Sequence, residues 1–273
     1  MDFKSKIILI YGPTASGKSE FALKLAKKIK GEIINADSMQ VYKELKILSA
    51  RPLPKNYSNI KHHLYGFLSV KKNFSAGEWL NKCLTKISEI KKRKKVPIIV
   101  GGTGLYFKSL VDGLAKIPNI SKKNRVKVRK LQKEIGQKNF YKRLIKLDPS
   151  CKNKININDR NRSIRAYEVY VQTSKSLYTW FKNTKIYFQN KEFEKIFIDI
   201  SRGEVVKSLS RRVDKMIKAG AIQEVKRFNK LKVKKANSSF NIIGIREINE
   251  LKSDKTNLRY VKEKITVKTR QYA

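Results

Sequence analysis

The stretch Gly12-Pro13-Thr14-Ala15-Ser16-Gly17-Lys18-Ser19 fits the pattern G-x-x-x-x-G-K-[ST], whose chemistry is phosphate binding. In such a loop the backbone N–H groups point inward at a helix N-terminus, where the dipole favours an anion. Lys18 adds a point charge, and the Ser19 hydroxyl can hold a Mg²⁺ that bridges two phosphate oxygens. A di- or triphosphate ligand is expected, and the loop alone does not choose between them. Further on, Ala36-Asp37-Ser38-Met39-Gln40-Val41-Tyr42 places an acid just past an apolar run. An acid at the carboxyl end of a parallel strand, beside the strand that feeds a phosphate loop, sits where α/β ligands bind.

These groups need elements to hold them. Lys6 to Tyr11 is an apolar run suited to a buried parallel strand. Lys18 to Lys30 has Phe21, Ala22, Leu25, Ala26 and Ile29 at helical spacing. Glu32 to Asn35 and Val96 to Val100 read as further strands, the latter ending in the glycine turn Gly101-Gly102-Thr103-Gly104 and a helix to about Asp112. Between them Ser75 to Lys95 reads as a helix, with Ser75 as N-cap and Glu78 in the capping-box place. His62 and His63 are adjacent and point different ways, so one packing histidine is expected and no metal pair. From Pro118 to about Lys195 the chain is basic and helical by periodicity. Lys195 to Ile200 returns as a strand, with helices expected at 204–220, 221–232, 239–251 and from Lys255 to the end. The fold expected is α/β: a P-loop NTPase-like parallel sheet core, residues 1–117 and 196–273, carrying an inserted all-helical domain, residues 118–195.

At 273 residues the chain has room for a sizeable core. No run approaches the roughly 18 apolar residues of a membrane span, and the early first strand leaves no room for a signal peptide. Cys83 and Cys151 form no metal-ligand spacing and read as reduced thiols of a cytoplasmic protein. The formal net charge of +42 points to a polyanionic partner such as nucleic acid. However, 49 of the 64 basic residues are lysine, the bias an AT-rich genome would put on any surface. The charge therefore supports nucleic-acid binding without establishing it.

Several stretches together resemble one family, the tRNA dimethylallyltransferases (tRNA isopentenyltransferases). They are Gly12 to Ser19, Asp37 to Tyr42, Gly101 to Tyr106, Asn158-Asp159-x-x-Arg162-x-x-Arg165-Ala166-x-Glu168, and Phe240-x-x-Ile243-Gly244-x-Arg246. They follow the family's order and span nearly the whole chain. The family pattern continues past Thr269-Arg270-Gln271-Tyr272-Ala273 into a basic segment with a Trp. The resemblance implies transfer of a dimethylallyl group from dimethylallyl diphosphate to N6 of the adenosine 3′ of the anticodon, in tRNAs reading codons that begin with U. Diphosphate is released. It implies that the loop holds the donor's diphosphate with Mg²⁺, that Arg212 contacts the same group, and that Asp37 and Thr103 are catalytic. It further implies tRNA contacts at Asp37, Ser38, Met39, Gln40 and Thr103, at Arg125, at Asn161, Arg162, Ser163, Ile164 and Arg165, and at Asn241, Ile242, Ile243, Gly244, Ile245 and Arg246. Partners would be a tRNA anticodon stem-loop and dimethylallyl diphosphate, with no membrane; a monomer is expected.

The residues suit that chemistry. Adenine N6 is conjugated into its ring and is a poor nucleophile, so departing diphosphate needs cations and donors placed in advance. Asp37 can accept a hydrogen bond from N6–H and take the proton late, as positive charge grows on nitrogen. Thr103 would contact the bridging oxygen of the leaving group; a helix N-cap is the plainer role for Asp37 and for Thr103 alike. Gln40 offers an amide for an adenine edge, whereas Arg162 and Arg165 suit phosphates. A small-molecule P-loop kinase would keep the loop and use Asp37 as base, with Ile196-Phe197-Ile198-Asp199 as a Walker-B-like strand. A nucleotide-gated RNA-binding protein and a transferase acting on free adenine nucleotides are further readings; the basic insert argues against the second.

Overall fold

The computed structural model of the chain describes residues 3, 5–252 and 257–272. It divides into two compact units: residues Met1–Ser109 with Phe188–Ala273, and residues Leu110–Tyr187.

The first unit begins with β1 (Ile7–Tyr11), the phosphate loop, α1 (Lys18–Lys28) and β2 (Gly31–Asn35). Next come β3 (His62–His63), α2 (Ala76–Lys92), β4 (Val96–Val100) and α3 (Gly104–Val111). Strands β1, β2 and β4 are fully or almost fully buried, as parallel strands with both faces covered must be. Ile8 pairs with Ile98 and Ile10 with Val100, while Ile33 on the other side also meets Ile98. Ala22 and Ala26 of α1 pack on this apolar face. Ser75 and Glu78 form the expected capping box at the start of α2, which buries Trp79 against Tyr106, ring centroids 4.4 Å apart.

The second unit holds β5 (Leu114–Ala115), α4 (Lys122–Leu147), α5 (Arg160–Thr173), α6 (Leu177–Phe181) and β6 (Thr184–Lys185). Gly136, at φ 74°, breaks α4 into two helices. Val128, Phe140, Leu144, Ile164 and Val169 form a core of its own. Two expectations change here. The insert is not wholly helical, because β5 and β6 pair as a two-residue antiparallel ribbon. The compact unit also starts and ends eight residues earlier than the change of composition suggests, at Leu110 and Tyr187. Composition marks where charge rises; packing decides which residues share a core.

The chain returns as β7 (Phe193–Phe197), which pairs with β1 and completes a parallel sheet of order β3-β2-β4-β1-β7. This strand starts before the expected Lys195, and as an edge strand it is only partly buried. Helices α7 (Arg202–Lys218) and α8 (Ala221–Lys230) follow. The single helix expected at 239–251 is instead a 3₁₀ turn, a left-handed Gly244 (φ 110°) and the short α9 (Ile245–Asn249). Finally α10 (Leu258–Tyr272) packs on α7; Lys255 and Ala273 of the expected helix lie outside the described residues. Leu45, Val213, Phe228, Ile245 and Val261 belong to a second core that joins α7–α10 to the segment after β2. His63 bonds buried Glu32 (2.7 Å) and His62 stacks on Tyr57; no metal-holding cluster of His, Cys, Asp or Glu occurs among the described residues.

Candidate active site

The loops leaving β1, β2 and β4 are tied together at the carboxyl end of the sheet. The Gly101 N–H donates to the Ile10 carbonyl (3.2 Å), that of Ala36 to Val100 (2.7 Å) and that of Thr103 to Ala36 (3.1 Å). Such close approach explains two glycines. A Cβ on Gly101 would lie 2.2 Å from the Ala36 carbonyl, and one on Gly12 would lie 2.4 Å from the Ile198 oxygen.

The phosphate loop turns through left-handed Ala15 (φ 65°) and Gly17 (φ 83°) into α1, which no side chain caps. Lys18 folds back over the loop: Nζ donates to the carbonyls of Gly12 (2.9 Å) and Pro13 and lies 3.4 Å from the Ser16 hydroxyl. Burial lowers its pKa to about 8, with Arg212 pushing the same way and Asp37 opposing.

Asp37 sits on the turn after β2. Its Oδ1 accepts the Met39 N–H at 2.8 Å, an Asx turn; no helix begins there, so it is not a helix cap. Asn35, fully buried, donates to the Asp37 carbonyl and accepts its N–H, both at 2.9 Å. Burial raises the Asp37 pKa, against the Met39 and Gln40 N–H groups, Arg212 and Lys18. Arg212, reaching in from α7, is held below the usual guanidinium range by burial, and Asp37 opposes that.

These groups line a polar cradle of about 300 Å³, bounded by Thr14 to Ser19, Asp37, Gln40, Tyr65, Gly101, Gly102 and Arg212. An apolar chamber of about 110 Å³ adjoins it, walled by Met39, Leu48, Leu209, Val213, Met216, Ile242 and Ile243 with Asn241, Ile265, Thr269 and Tyr272. Thr14, Asp37 and Arg212 line both. A third, apolar recess of about 260 Å³ shares Ser19, Glu20, Tyr65 and Val100 with the cradle but touches neither Asp37 nor Arg212. An anion in the cradle and an apolar or aromatic group in the chamber would therefore meet beside the carboxylate.

A Mg²⁺ fits the donor set in a restricted sense. Ser19 presents an exposed hydroxyl to the cradle, a hard oxygen ligand. With no carboxylate cage among the described residues, most of its ligands would come from phosphate oxygens.

Not every candidate faces this space. Thr103 is absent from the cradle lining: Oγ1 accepts the Ser38 N–H (2.9 Å) and lies 3.3 Å from the Ser38 hydroxyl, which ties α3 to the Asp37 turn. The Gln40 amide donates to the Ser49 carbonyl (3.1 Å). Asn241, Ile242 and Ile243 line the chamber, whereas Gly244 packs on Leu48, Ile245 is fully buried and Arg246 is exposed with a guanidinium nitrogen 3.3 Å from the Asn241 oxygen. In the second unit Arg125, Asn161 and Arg162 are exposed, Arg162 within 3.4 Å of Asp159. Ser163 and Ile164 turn into that unit's core. Burial and neighbouring Arg125 lower the Arg165 pKa, and Glu168 opposes. Asp199 is exposed and does not line the cradle. Sequence reasoning passed over Asn35, Leu48, Ser49 and Tyr65. A polar residue closing an apolar strand marks Asn35; nothing local marks the others.

The sequence model of the family described as IPP transferase matches residues 40–273. A tRNA dimethylallyltransferase of Pelagibacter ubique (strain HTCC1062) is 55% identical over 273 residues, covering all of this chain and 87% of that protein. One from Rickettsia massiliae (strain Mtu5) is 43% identical over 272 residues, 99% of this chain and 75% of the relative. Among solved structures, a eukaryotic dimethylallyltransferase acting on tRNA superposes with a TM-score of 0.83 at 28% identity, covering 98% of this chain and 68% of that one. A tRNA delta(2)-isopentenylpyrophosphate transferase from Staphylococcus epidermidis gives a TM-score of 0.65 at 33% identity, covering 98% and 87%.

Proposed function

This chain belongs to the tRNA dimethylallyltransferase family, and from that premise we propose that it prenylates tRNA at the junction of cradle and chamber. The donor is dimethylallyl diphosphate, its diphosphate in the cradle formed by Gly12 to Ser19 and Arg212. The acceptor is N6 of the adenosine 3′ of the anticodon, extruded from its stack into the space beside Asp37. The bond from N6 to the allylic carbon forms as the bond from that carbon to the diphosphate oxygen breaks. The leaving electron pair stays on diphosphate, stabilised by Lys18, Arg212 and the loop amides. Asp37 receives a hydrogen bond from N6–H and takes the proton late; its raised pKa makes it a better base than an exposed carboxylate. Ser19 would hold a Mg²⁺ together with the diphosphate, and such an ion would supply further charge neutralisation. The hydrogen bonds to Ser38 give Thr103 a role in holding the Asp37 turn as well as the one proposed toward the bridging oxygen. We place the reaction in the cytoplasm, where a tRNA substrate is found, and no described helix is long and apolar enough to cross a membrane.

The observation that carries this reading is the shared wall of Thr14, Asp37 and Arg212 between an anion cradle and an apolar chamber. A kinase acting on small molecules finds no support among the relatives. The test is purified protein with labelled dimethylallyl diphosphate, Mg²⁺ and an anticodon stem-loop, followed by mass spectrometry of the RNA. A mass gain of one dimethylallyl group on the adenosine is expected; binding of ATP with no transfer to RNA would defeat the reading.

A further inference from the structure

Glu224 of α8 is a carboxylate in apolar surroundings. It is 2% exposed, on a helix whose Ala221, Val225 and Phe228 are buried in the second core. Among the described residues its partners are backbone amides. Oε1 accepts the N–H groups of Lys46 and Ile47, each at 2.9 Å; Oε2 accepts those of Leu48 at 2.9 Å and Ile47 at 3.2 Å. Three consecutive amides converging on one point make an anion nest, and here the chain fills it itself.

The segment so gathered walls the ligand space. Leu48 and Ser49 line the apolar chamber and Ala50 lines the cradle. The Ser49 carbonyl accepts from Gln40, and Leu48 Cδ2 fills the place of the Cβ that Gly244 lacks, 2.6 Å from it. Without an acceptor the buried Leu48 amide and its part-buried neighbours would be left unpaired, or the turn would open to water and take Leu48 with it. We propose that Glu224 is a positioning residue for prenyl transfer: by collecting the amides of Lys46, Ile47 and Leu48 it fixes the wall that holds the reacting groups against Asp37. The inference rests on the function proposed above. It touches neither substrate, and it acts through the wall.

The test is Glu224→Gln, which keeps the shape and turns an amide donor toward three N–H donors. Hydrogen exchange at Lys46, Ile47 and Leu48 should speed up. kcat/KM for transfer to the stem-loop should fall at least about tenfold, the scale of small misplacements of reacting groups. Affinity for inorganic pyrophosphate should stay unchanged, because the loop from Gly12 to Ser19 is untouched. Phe228→Leu, one turn along α8, is the control: it loosens the same core without reaching those amides. It should lower Tm while leaving local exchange and kcat/KM as in the wild type. Unchanged exchange at residues 46–48, or an activity loss that Phe228→Leu reproduces at equal Tm, overturns the inference alone. A wild-type protein that fails to prenylate the stem-loop overturns the functional reading and this inference with it.

Discussion

Asn35 grips the backbone of Asp37 from both sides, its amide nitrogen on the carbonyl and its amide oxygen on the N–H, each at 2.9 Å. The same amide nitrogen reaches the Leu64 carbonyl at 3.0 Å, and the Asn35 carbonyl accepts the Trp79 indole at 2.8 Å. One buried residue thus ties the carboxylate's turn to the Leu64 backbone through its side chain and to α2 through its main-chain carbonyl. Asn35→Leu leaves the Asp37 N–H and the Asp37 and Leu64 carbonyls without this partner, a cost of about 1–3 kcal/mol. Thermal unfolding should show that loss, and kcat should fall while pyrophosphate affinity holds; equal losses in both would mean the clamp serves the whole cradle.

Asp37 itself is the sharper probe. Asp37→Ala should lower turnover by at least about 10²-fold, the low end for an acid–base group, with pyrophosphate binding near normal. Single-turnover kinetics at saturating donor make the measurement; near-wild-type turnover would remove Asp37 from the chemistry.

The pH profile of kcat/KM should have two limbs that belong to the free protein. In the proposed reaction Asp37 must be ionised to accept a proton, so activity falls with falling pH through a value raised above the ordinary 3.8. In the same proposal Lys18 must be protonated to hold diphosphate, so activity also falls as pH rises past about 8. The acid limb should vanish in Asp37→Asn and the alkaline limb in Lys18→Met. Pyrophosphate binding above pH 8 should take up a proton, read as a buffer-dependent heat in calorimetry.

Arg162 and Arg165 are proposed to meet phosphate. The double variant Arg162→Ala, Arg165→Ala should weaken stem-loop binding and reduce the slope of log K against log salt by roughly one to two units. Titrations across a salt series decide it, and an unchanged slope would leave both as a solvated face.

Gly101→Ala forces a Cβ to within 2.2 Å of the Ala36 carbonyl, immediately before Asp37. Overpacking of this kind costs about 1–3 kcal/mol. A lower Tm with a disproportionate loss of kcat is expected, because the displaced backbone carries the turn that holds the proposed base Asp37.

Much of the core was readable because it is written locally. Continuous apolar runs gave β1, β2 and β4, and Ser75 with Glu78 announced the start of α2. Where local and tertiary demands diverged, the reading slipped. Periodicity from Ser239 to Leu251 suggested one helix, but Gly244 must turn left-handed to let Leu48 pack against it. The two-residue ribbon of β5 and β6 is too short to leave a pattern, and its strands lie far apart in the chain.

The glycine loop, the parallel strands that deliver it and the place of Asp37 at a strand end are all legible in local pattern. Those features rest on neighbours in the chain: glycines where backbone must approach closely, apolar runs where both faces are covered. Packing across the fold is what puts Asp37 and Arg212 on one wall of an apolar chamber and Thr103 on Ser38. It alone set Glu224 beneath Leu48 and brought the Lys18 pKa to about 8. Burial and contacts between residues 65 or more positions apart arise from how helices and loops pack on the sheet, and no local spacing encodes them.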